Sequence, residues 1–201
     1  MPFPLQALQR QLRQHTPHTC PGTDFAAVAA IFREGRNGLE LLVIERAKDE
    51  RDPWSGHLAF PGGRASPGDS SLLCTAIRET REELGFDLEA SATLLGALDQ
   101  LSARRAEAPG LVIAPYAFAL EREVELQPEP REVSQAFWVE LRPLVAGEKN
   151  TTMQVQRGRQ RLSFPGYRIG ESVLWGLTYQ MLESLFQRVR CGLDNSTAFR
   201  R

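Results

Sequence analysis

Residues 63–86, GRASPGDSSLLCTAIRETREELGF, decide the fold of this chain. The second half of the stretch predicts a helix, because mostly apolar residues recur at helical spacing along one side. We expect Asp69 or Ser70 to cap the first free N–H groups of this helix. Gly85 follows the last turn, where a left-handed residue commonly ends a helix.

Three glutamates lie on this predicted helix, away from its apolar stripe. Glu79, Glu82 and Glu83 stand at i, i+3 and i+4, which brings their side chains to one side of the helix. Like charges so placed repel each other, whereas a hard divalent cation such as Mg²⁺ or Mn²⁺ prefers several carboxylate oxygens. The alternative is a solvated charged face. Against it stands the glycine-rich segment 60–63, where backbone can approach a ligand closely.

The loop and the helix together resemble the Nudix box. The family pattern begins with a Gly and continues through Arg-Glu and Glu-Glu pairs to a second Gly and an apolar residue. This sequence matches it at Gly63, at 78–79, at 82–83 and at 85–86.

The departures from the box point to one branch of the family. Asp69 stands where the first Glu belongs, one extra residue separates it from Arg78, and Thr80 replaces an apolar residue. An Asp with one extra residue resembles the branch that is similar to coenzyme A pyrophosphatases. Residues 41–63 resemble the signature upstream of the box in that branch, and residues 174–182 resemble its C-terminal helix.

The resemblance implies a fold and roles for the residues of the box. The expected class is α/β, with the Nudix fold: an α/β/α sandwich with a mixed β-sheet and a loop-helix-loop Nudix box. The three glutamates would hold Mg²⁺ or Mn²⁺ and serve catalysis. The backbone of Gly62 and Gly63 would shape the metal and phosphate side of the site. Arg78 matches the family position that orients a box glutamate through a salt bridge.

The general base is left open by the resemblance. It is either a glutamate of the box or a glutamate from a loop after the helix. Glu132 is the candidate from the loop, because residues 131–141 resemble the segment where some relatives place the base. Glu107, Glu123 and Glu129 compete with it.

Two arginines upstream of the box are candidates for substrate binding. Arg46 and Arg51 could contact substrate phosphates, including the 3′-phosphate of coenzyme A, since a guanidinium binds two oxygens at once. A solvated strand end is the alternative for both. Trp54 could stack on an adenine or be buried against its loop, and His57 could be a ligand or a hydrogen-bonded loop residue.

The resemblance implies metal-dependent hydrolysis of a phosphoanhydride bond in a nucleoside diphosphate derivative. Coenzyme A and its thioesters come first, split to 3′,5′-ADP and 4′-phosphopantetheine. ADP-ribose, a dinucleotide or a modified nucleoside triphosphate are alternative substrates. The alternative from another class is a non-catalytic module that binds a nucleotide.

Composition and charge argue against several other classes of protein. The net charge of −1 over 201 residues argues against a dedicated nucleic-acid binder. No apolar run approaches about 18 residues, so we expect no membrane span. The N-terminus lacks the layout of a signal peptide and the three cysteines suit reduced thiols, so the expected location is the cytoplasm. The family resemblance also allows a homodimer.

We expect an N-terminal helix and lead-in over 1–22, a single Nudix domain over 23–190 and a polar tail over 191–201. A hairpin through Asn37-Gly38 joins the first two strands. The segment 102–110 is predicted to be a mobile loop, and 121–131 is either disordered or a loop that carries a catalytic residue. The other predicted elements are helices at 5–14, 141–145 and 171–189, and strands at 25–32, 39–45, 58–60, 93–101, 111–120, 136–139, 151–155 and 161–164.

Overall fold

The computed structural model describes residues 4–49, 54–105 and 108–198. The predicted hairpin is present: Gly35 pairs with Gly38 across a tight turn. The helices are α1 (Leu5–Arg13), α2 (Leu72–Leu84), α3 (Leu88–Ser91), α4 (Leu141–Val145) and α5 (Gly176–Ala198). The strands are β1 (Phe25–Gly35), β2 (Gly38–Arg46), β3 (Leu58–Ala59), β4 (Gly62–Arg64), β5 (Ala92–Ala97), β6 (Leu101–Arg105), β7 (Ala108–Leu120), β8 (Val133–Glu140), β9 (Asn150–Arg157), β10 (Gln160–Ile169) and β11 (Ser172–Trp175).

The central sheet is mixed. Its strands run in the order β3-β2-β1-β7-β5, with β4 paired to β1, β6 to β7 and β8 to β2. Strands β1 and β7 are parallel, with Phe25 opposite Val112, and the other pairs among the described residues are antiparallel. Strands β9, β10 and β11 form a separate antiparallel sheet.

Helices cover both faces of the central sheet, because successive side chains of a strand point to opposite faces. Ile31 on β1 packs in the core beneath α2, and its neighbour Phe32 packs in the core that contains α1 and α5. Both side chains are fully buried. The expected α/β/α sandwich with a mixed sheet is therefore confirmed, with α2 and α3 on one face and α1, α4 and α5 on the other.

Several predicted boundaries are wrong. The predicted strand 93–101 is split into β5 and β6, and the pairing of β5 with β7 shifts register between Leu94 and Gly96. The described part of the predicted loop 102–110 belongs to the β6–β7 hairpin. The predicted helix 171–189 begins at Gly176, because the residues before it form β11, and it continues to Ala198. A short apolar run does not distinguish a strand from a helix.

The glutamate-rich segment 121–131 is an ordered loop. It packs against the C-terminal end of α2, where the backbone N–H groups of Gln127 and Glu129 donate to the carbonyls of Leu84 and Glu83, both at 2.9 Å. This position brings the loop beside the acidic end of α2. Among the described residues, no helix has the length and apolar character that crossing a membrane requires.

Candidate active site

The N-cap of helix α2 is one residue further along the chain than the two residues predicted for it. Ser71 is the N-cap, and its hydroxyl accepts a hydrogen bond from the backbone N–H of Cys74 at 3.2 Å. Asp69 and Ser70 are therefore not the cap. Asp69 instead accepts from the N–H of Ser66 at 2.8 Å within the preceding turn. Gly85 ends the helix in the left-handed conformation, as predicted, with φ of 75°.

A glycine pair leads the chain past the acidic end of α2. Gly62 is buried and has φ of 145°, and a Cβ there would lie 2.2 Å from the carbonyl oxygen of Ala27 on β1. A Cβ on Gly63 would lie 2.2 Å from Oε2 of Glu79. Neither position has room for a side chain, because the backbone of β1 occupies the space at Gly62 and the Glu79 carboxylate occupies it at Gly63. We call Gly62 and Gly63 the glycine elbow.

Glu83 is the buried carboxylate of the site. Its side chain is almost entirely excluded from solvent, with 1% of the residue exposed, and Oε2 accepts a hydrogen bond from the N–H of Gly62 at 2.8 Å. Burial raises the pKa of Glu83 to about 8, and the charges of Glu79 and Glu132 act in the same direction. The Gly62 N–H and the charge of Arg46 oppose this rise in pKa.

Glu79 and Glu82 are the two box glutamates that contact Arg78. The Glu79 carboxylate packs against Gly63 with 13% of its side chain exposed, and burial raises its pKa. Glu82 is much more open, with 53% of its side chain exposed. Both carboxylates accept from Nη1 of Arg78, Glu79 at 2.7 Å and Glu82 at 2.9 Å. One guanidinium nitrogen therefore holds these two box glutamates together.

Arg78 connects the loop before α2 to the acidic side chains. Its Nε and Nη2 donate to the two oxygens of Asp69, both at 2.9 Å, and Nη2 also donates to the carbonyl of Arg64 at 3.1 Å. The hydrogen bonds from Arg78, with that from the N–H of Ser66, hold the pKa of Asp69 well below its usual range. Arg78 thus reaches Asp69, Glu79 and Glu82 at once.

The role of Asp69 is one that reasoning from the sequence missed. The helix-start pattern suggested a capping residue, whereas its carboxylate binds Arg78 on both oxygens and accepts from the hydroxyl of Thr75 at 2.8 Å. A signal was available, since Asp69 occupies the place of the first glutamate of the box. The side chain is only 8% exposed, which suits a structural ion pair.

The box glutamates do not converge on a single point. Within the described ranges, no group of three or more His, Cys, Asp or Glu side chains is placed to hold a metal ion. Glu79 and Glu83 meet the glycine elbow, while Glu82 faces Arg78. Mg²⁺ is usually bound by one or two carboxylates and completes its shell with waters and substrate phosphates. The oxygen donors present therefore fit a divalent cation whose site the substrate completes.

The candidate base and one candidate arginine lie beside this cluster. The N–H of Ala47 donates to the carbonyl of Glu132 at 2.8 Å, and Arg46 pairs with Val133 between β2 and β8. Glu132 is exposed, and its charge raises the pKa values of both Glu79 and Glu83.

The other candidates are less well placed or fall outside the described residues. Glu129 contacts Glu83 through its backbone N–H, while its carboxylate accepts from the N–H of Arg131 at 3.3 Å. Glu123 is exposed on the loop after β7. Arg51 and Glu107 lie outside the described residues.

The family is decided by comparison with known domains. The NUDIX domain model matches residues 23–158. This chain belongs to the Nudix family. The Nudix hydrolase domain so identified contains the glycine elbow, α2 and the loop with Glu132. Nudix hydrolases generally use divalent metal ions and act on small nucleotide substrates.

Two relatives extend this match over most of the chain. The uncharacterized protein C14C4.10c of Schizosaccharomyces pombe is 32% identical over 172 residues, which cover 77% of this chain and 52% of that protein. The chain thus spans about half the length of this relative. The uncharacterized Nudix hydrolase NudL of Photorhabdus laumondii is 30% identical over 150 residues, covering 75% of this chain and 77% of that protein.

Solved structures share the fold at low sequence identity. The NUDIX domain of Shewanella oneidensis NrtR, complexed with ADP ribose, has a TM-score of 0.53 at 18% identity and covers 92% of this chain and 97% of that one. A MutT/nudix family protein from Enterococcus faecalis has a TM-score of 0.55 at 15% identity and covers 94% of this chain and 70% of that one. At these identities the likeness concerns the fold alone.

Proposed function

We propose that this Nudix domain hydrolyses a phosphoanhydride bond in a nucleoside diphosphate derivative, with Mg²⁺ or Mn²⁺ as cofactor. The observation that carries the proposal is the position of Glu83, a buried carboxylate held by the Gly62 N–H beside Glu79. Two acidic side chains at a glycine elbow, with a third carboxylate in electrostatic range, repel one another when charged, and Arg46 and Arg78 offset part of this repulsion. A divalent cation relieves that repulsion and attracts a diphosphate.

The proposed ligands of the cation are the three box glutamates. Glu79 and Glu83 provide the oxygens nearest the glycine elbow, and Glu82 joins them by giving up its ion pair with Arg78. The cation neutralises charge on the diphosphate and lowers the pKa of a bound water. Arg78 supports the site by holding Glu79 against Gly63 through its bonds to both Glu79 and Asp69.

Glu132 is the proposed general base. It is exposed, it stands at the start of β8, and its charge reaches both Glu79 and Glu83. A base needs access to the attacking water and hydrogen-bonding reach to it. Glu83 suits this role less well, because its burial and its bond to Gly62 fix it in place. A box glutamate remains the alternative base.

Coenzyme A and its thioesters are the first proposed substrates, split to 3′,5′-ADP and (acyl-)4′-phosphopantetheine. The support is the likeness of residues 41–63 to the coenzyme A signature. Arg46 adds to it, because its charge acts on Glu83 and its backbone lies beside that of Glu132. Arg46 is the proposed phosphate contact, and Arg51 is a second one proposed from the sequence alone.

A product-resolved assay tests the proposed function. Coenzyme A, acetyl-coenzyme A, ADP-ribose, a dinucleoside polyphosphate and a modified nucleoside triphosphate are each incubated with Mg²⁺ or Mn²⁺, and the fragments are identified. We expect 3′,5′-ADP and 4′-phosphopantetheine from coenzyme A. If one of the other substrates is cleaved and coenzyme A is not, the protein is still a Nudix hydrolase but its substrate is not coenzyme A. Tight nucleotide binding without product from any substrate would indicate a non-catalytic module and contradict the proposal.

A further inference from the structure

A cavity of about 350 Å³ lies between the β9–β11 sheet and the turn before β3. Its aromatic and apolar wall consists of His57, Met153, Val173 and Trp175. The ring of Trp175 lies 5.0 Å from that of His57 and 5.5 Å from that of Phe164, tilted by 59° and 36° respectively. The volume is within the range of small-molecule pockets, about 300–1,000 Å³.

The sheet is built to present Trp175 to this cavity. Gly166 on β10 pairs with Trp175 on β11, and a Cβ at Gly166 would lie 2.8 Å from Val173 Cγ1 and 3.2 Å from Trp175 Cβ. The atom nearest to such a Cβ is the carbonyl oxygen of Leu174 at 2.6 Å, so the glycine allows β10 and β11 to approach closely beside Trp175. The residue between the two pocket-lining side chains, Leu174, points the other way and is fully buried in the core.

The cavity is next to the proposed site of hydrolysis. The N–H of Arg46 donates to the carbonyl of His57 at 3.0 Å, and β11 packs against β3, which leads into the glycine elbow. The backbone from His57 to Gly62 spans at most roughly 17 Å when fully extended. The elbow and the cavity are therefore close enough for one substrate to reach both.

The charges around the cavity select among the possible ends of a substrate. Arg168 and Glu171 both line it, and Nη1 of Arg168 donates to the carbonyl of Glu171 at 3.2 Å. One guanidinium balanced by one carboxylate does not favour a phosphate. The polar residues Thr152 and Ser172 also line the cavity, and an acyl chain would exclude water from polar groups at a cost. A neutral, planar group with hydrogen-bonding edges suits this lining.

We propose that this cavity binds the nucleobase of the substrate, with Trp175 as its stacking surface. The proposal rests on the proposed function for the idea that a nucleoside diphosphate derivative is bound here. Stacking of a base on an aromatic side chain is worth about ten- to hundredfold in affinity by alanine substitution. Trp175 is then a specificity-determining residue that touches the substrate away from the reacting bond.

Binding of AMP in the presence of Mg²⁺ tests the proposal without requiring turnover. The ligands are AMP and ribose 5-phosphate, which lacks the base, titrated into the full chain. We expect Trp175→Ala to weaken AMP binding about ten- to hundredfold, Trp175→Phe to retain most of it, and ribose 5-phosphate binding to stay unchanged. Trp138→Phe is the matched control, because Trp138 packs under Arg33 and does not line the cavity.

A second pair of variants covers the case in which Trp175→Ala does not fold. Thr152 and Gln154 are both exposed on β9, but only Thr152 lines the cavity. Thr152→Trp should fill the cavity and weaken AMP binding about tenfold or more, whereas Gln154→Trp should not. Equal AMP affinity in the Thr152→Trp and wild-type chains would overturn the proposal.

The outcomes separate this proposal from the proposed function. A wild-type chain that hydrolyses its substrate, with KM unchanged in Trp175→Ala, would leave the function standing and overturn the base pocket. AMP binding that depends on Trp175, in a chain that cleaves no substrate, would support the pocket and contradict the function. Equal loss of AMP and ribose 5-phosphate binding in Trp175→Ala would also overturn the pocket, since the base would then not be recognised.

Discussion

The backbone N–H of Gly62 donates a hydrogen bond of 2.8 Å to Oε2 of Glu83, across 21 residues of sequence. This bond joins the glycine elbow to α2 at the point where the carboxylate is most deeply buried. It fixes one oxygen of Glu83, while burial and the charges of Glu79 and Glu132 raise the pKa of this carboxyl to about 8, so that it is mostly protonated at neutral pH without a cation. The consequence is a carboxyl group whose position is fixed by the fold and whose ionised form a bound cation would stabilise.

Replacing Glu83 with glutamine tests the charge separately from the shape. The amide oxygen of Glu83→Gln can still accept from Gly62 N–H, so the fold should be kept. Turnover should fall by about a hundredfold or more, because a cation ligand is lost. The melting temperature of the metal-free protein should change little near neutral pH, because burial raises the pKa of Glu83 to about 8 and the side chain is already mostly neutral there. Glu89→Gln, on the exposed side of α3, is the control and should change neither measurement.

Alanine at Gly63 tests the contact between the elbow and Glu79. A Cβ there would lie 2.2 Å from Glu79 Oε2, so Glu79 must move away from the elbow. We expect kcat of Gly63→Ala to fall at least tenfold in steady-state hydrolysis assays. Gly68→Ala is the matched control, because a Cβ at Gly68 meets nothing within 4 Å. Equal loss of activity in both variants would contradict the role given to this contact.

The sequence predicted those parts of the fold that depend on local signals. The Asn37-Gly38 turn, the left-handed Gly85 and the apolar stripe of α2 each act within a few residues, and each is present. The apolar pattern of α5 continues back through residues 172–175 and predicts a helix there. Their pairing with β10, which only tertiary structure supplies, makes them a strand.

The sequence predicts which residues form the site but not how their side chains are arranged. The spacing of Glu79, Glu82 and Glu83 puts them on one side of α2, but the partner of each side chain comes from elsewhere in the chain. The Gly62 N–H fixes Glu83, while Arg78 donates to both Glu79 and Glu82. The cavity beside Trp175 combines residues from far apart in the sequence, which no local pattern brings together.

The Arg78→Lys variant tests whether Asp69 needs a guanidinium that binds both of its oxygens or only a positive charge nearby. Lysine keeps the positive charge but cannot bind both oxygens of Asp69 while also reaching Glu79 and Glu82. We expect the free energy of unfolding to fall by about 1–3 kcal/mol. Activity should fall as well, because Glu79 loses its support. Urea denaturation and steady-state kinetics measure the two effects, and Arg81→Lys on the exposed face is the control. A Lys variant with wild-type stability would show that Asp69 needs only a nearby charge.

Asp99, which lies on the face of the sheet opposite α2, should make the free energy of unfolding depend on pH. Its Oδ1 accepts from the N–H of His18 at 2.8 Å and lies 3.0 Å from Nε2 of His15, and its other oxygen accepts from Arg188 on α5. Burial raises the pKa of Asp99, but the His18 N–H and the charge of Arg188 more than offset it and leave the pKa below its ordinary value.

A lowered pKa means that the folded state favours the charged form of Asp99. This stabilisation is fully present above the ordinary pKa of about 3.9 and is lost as pH falls through the lower folded value. We expect Asp99→Asn to cost about 2 kcal/mol at pH 7 and progressively less below pH about 4. Chemical denaturation across pH measures this difference, and a cost that is constant from pH 7 to pH 3 would contradict the ion-pair account.

Titration of Mn²⁺ into the chain in the presence of 3′,5′-ADP tests the central claim most directly. The claim is that carboxylates at the glycine elbow and a substrate phosphate together hold a divalent cation. The wild-type chain should bind Mn²⁺ more tightly with the nucleotide present than without it, and Glu83→Gln should bind about tenfold or more weakly. Equal Mn²⁺ affinity in the wild-type and Glu83→Gln chains would contradict the account.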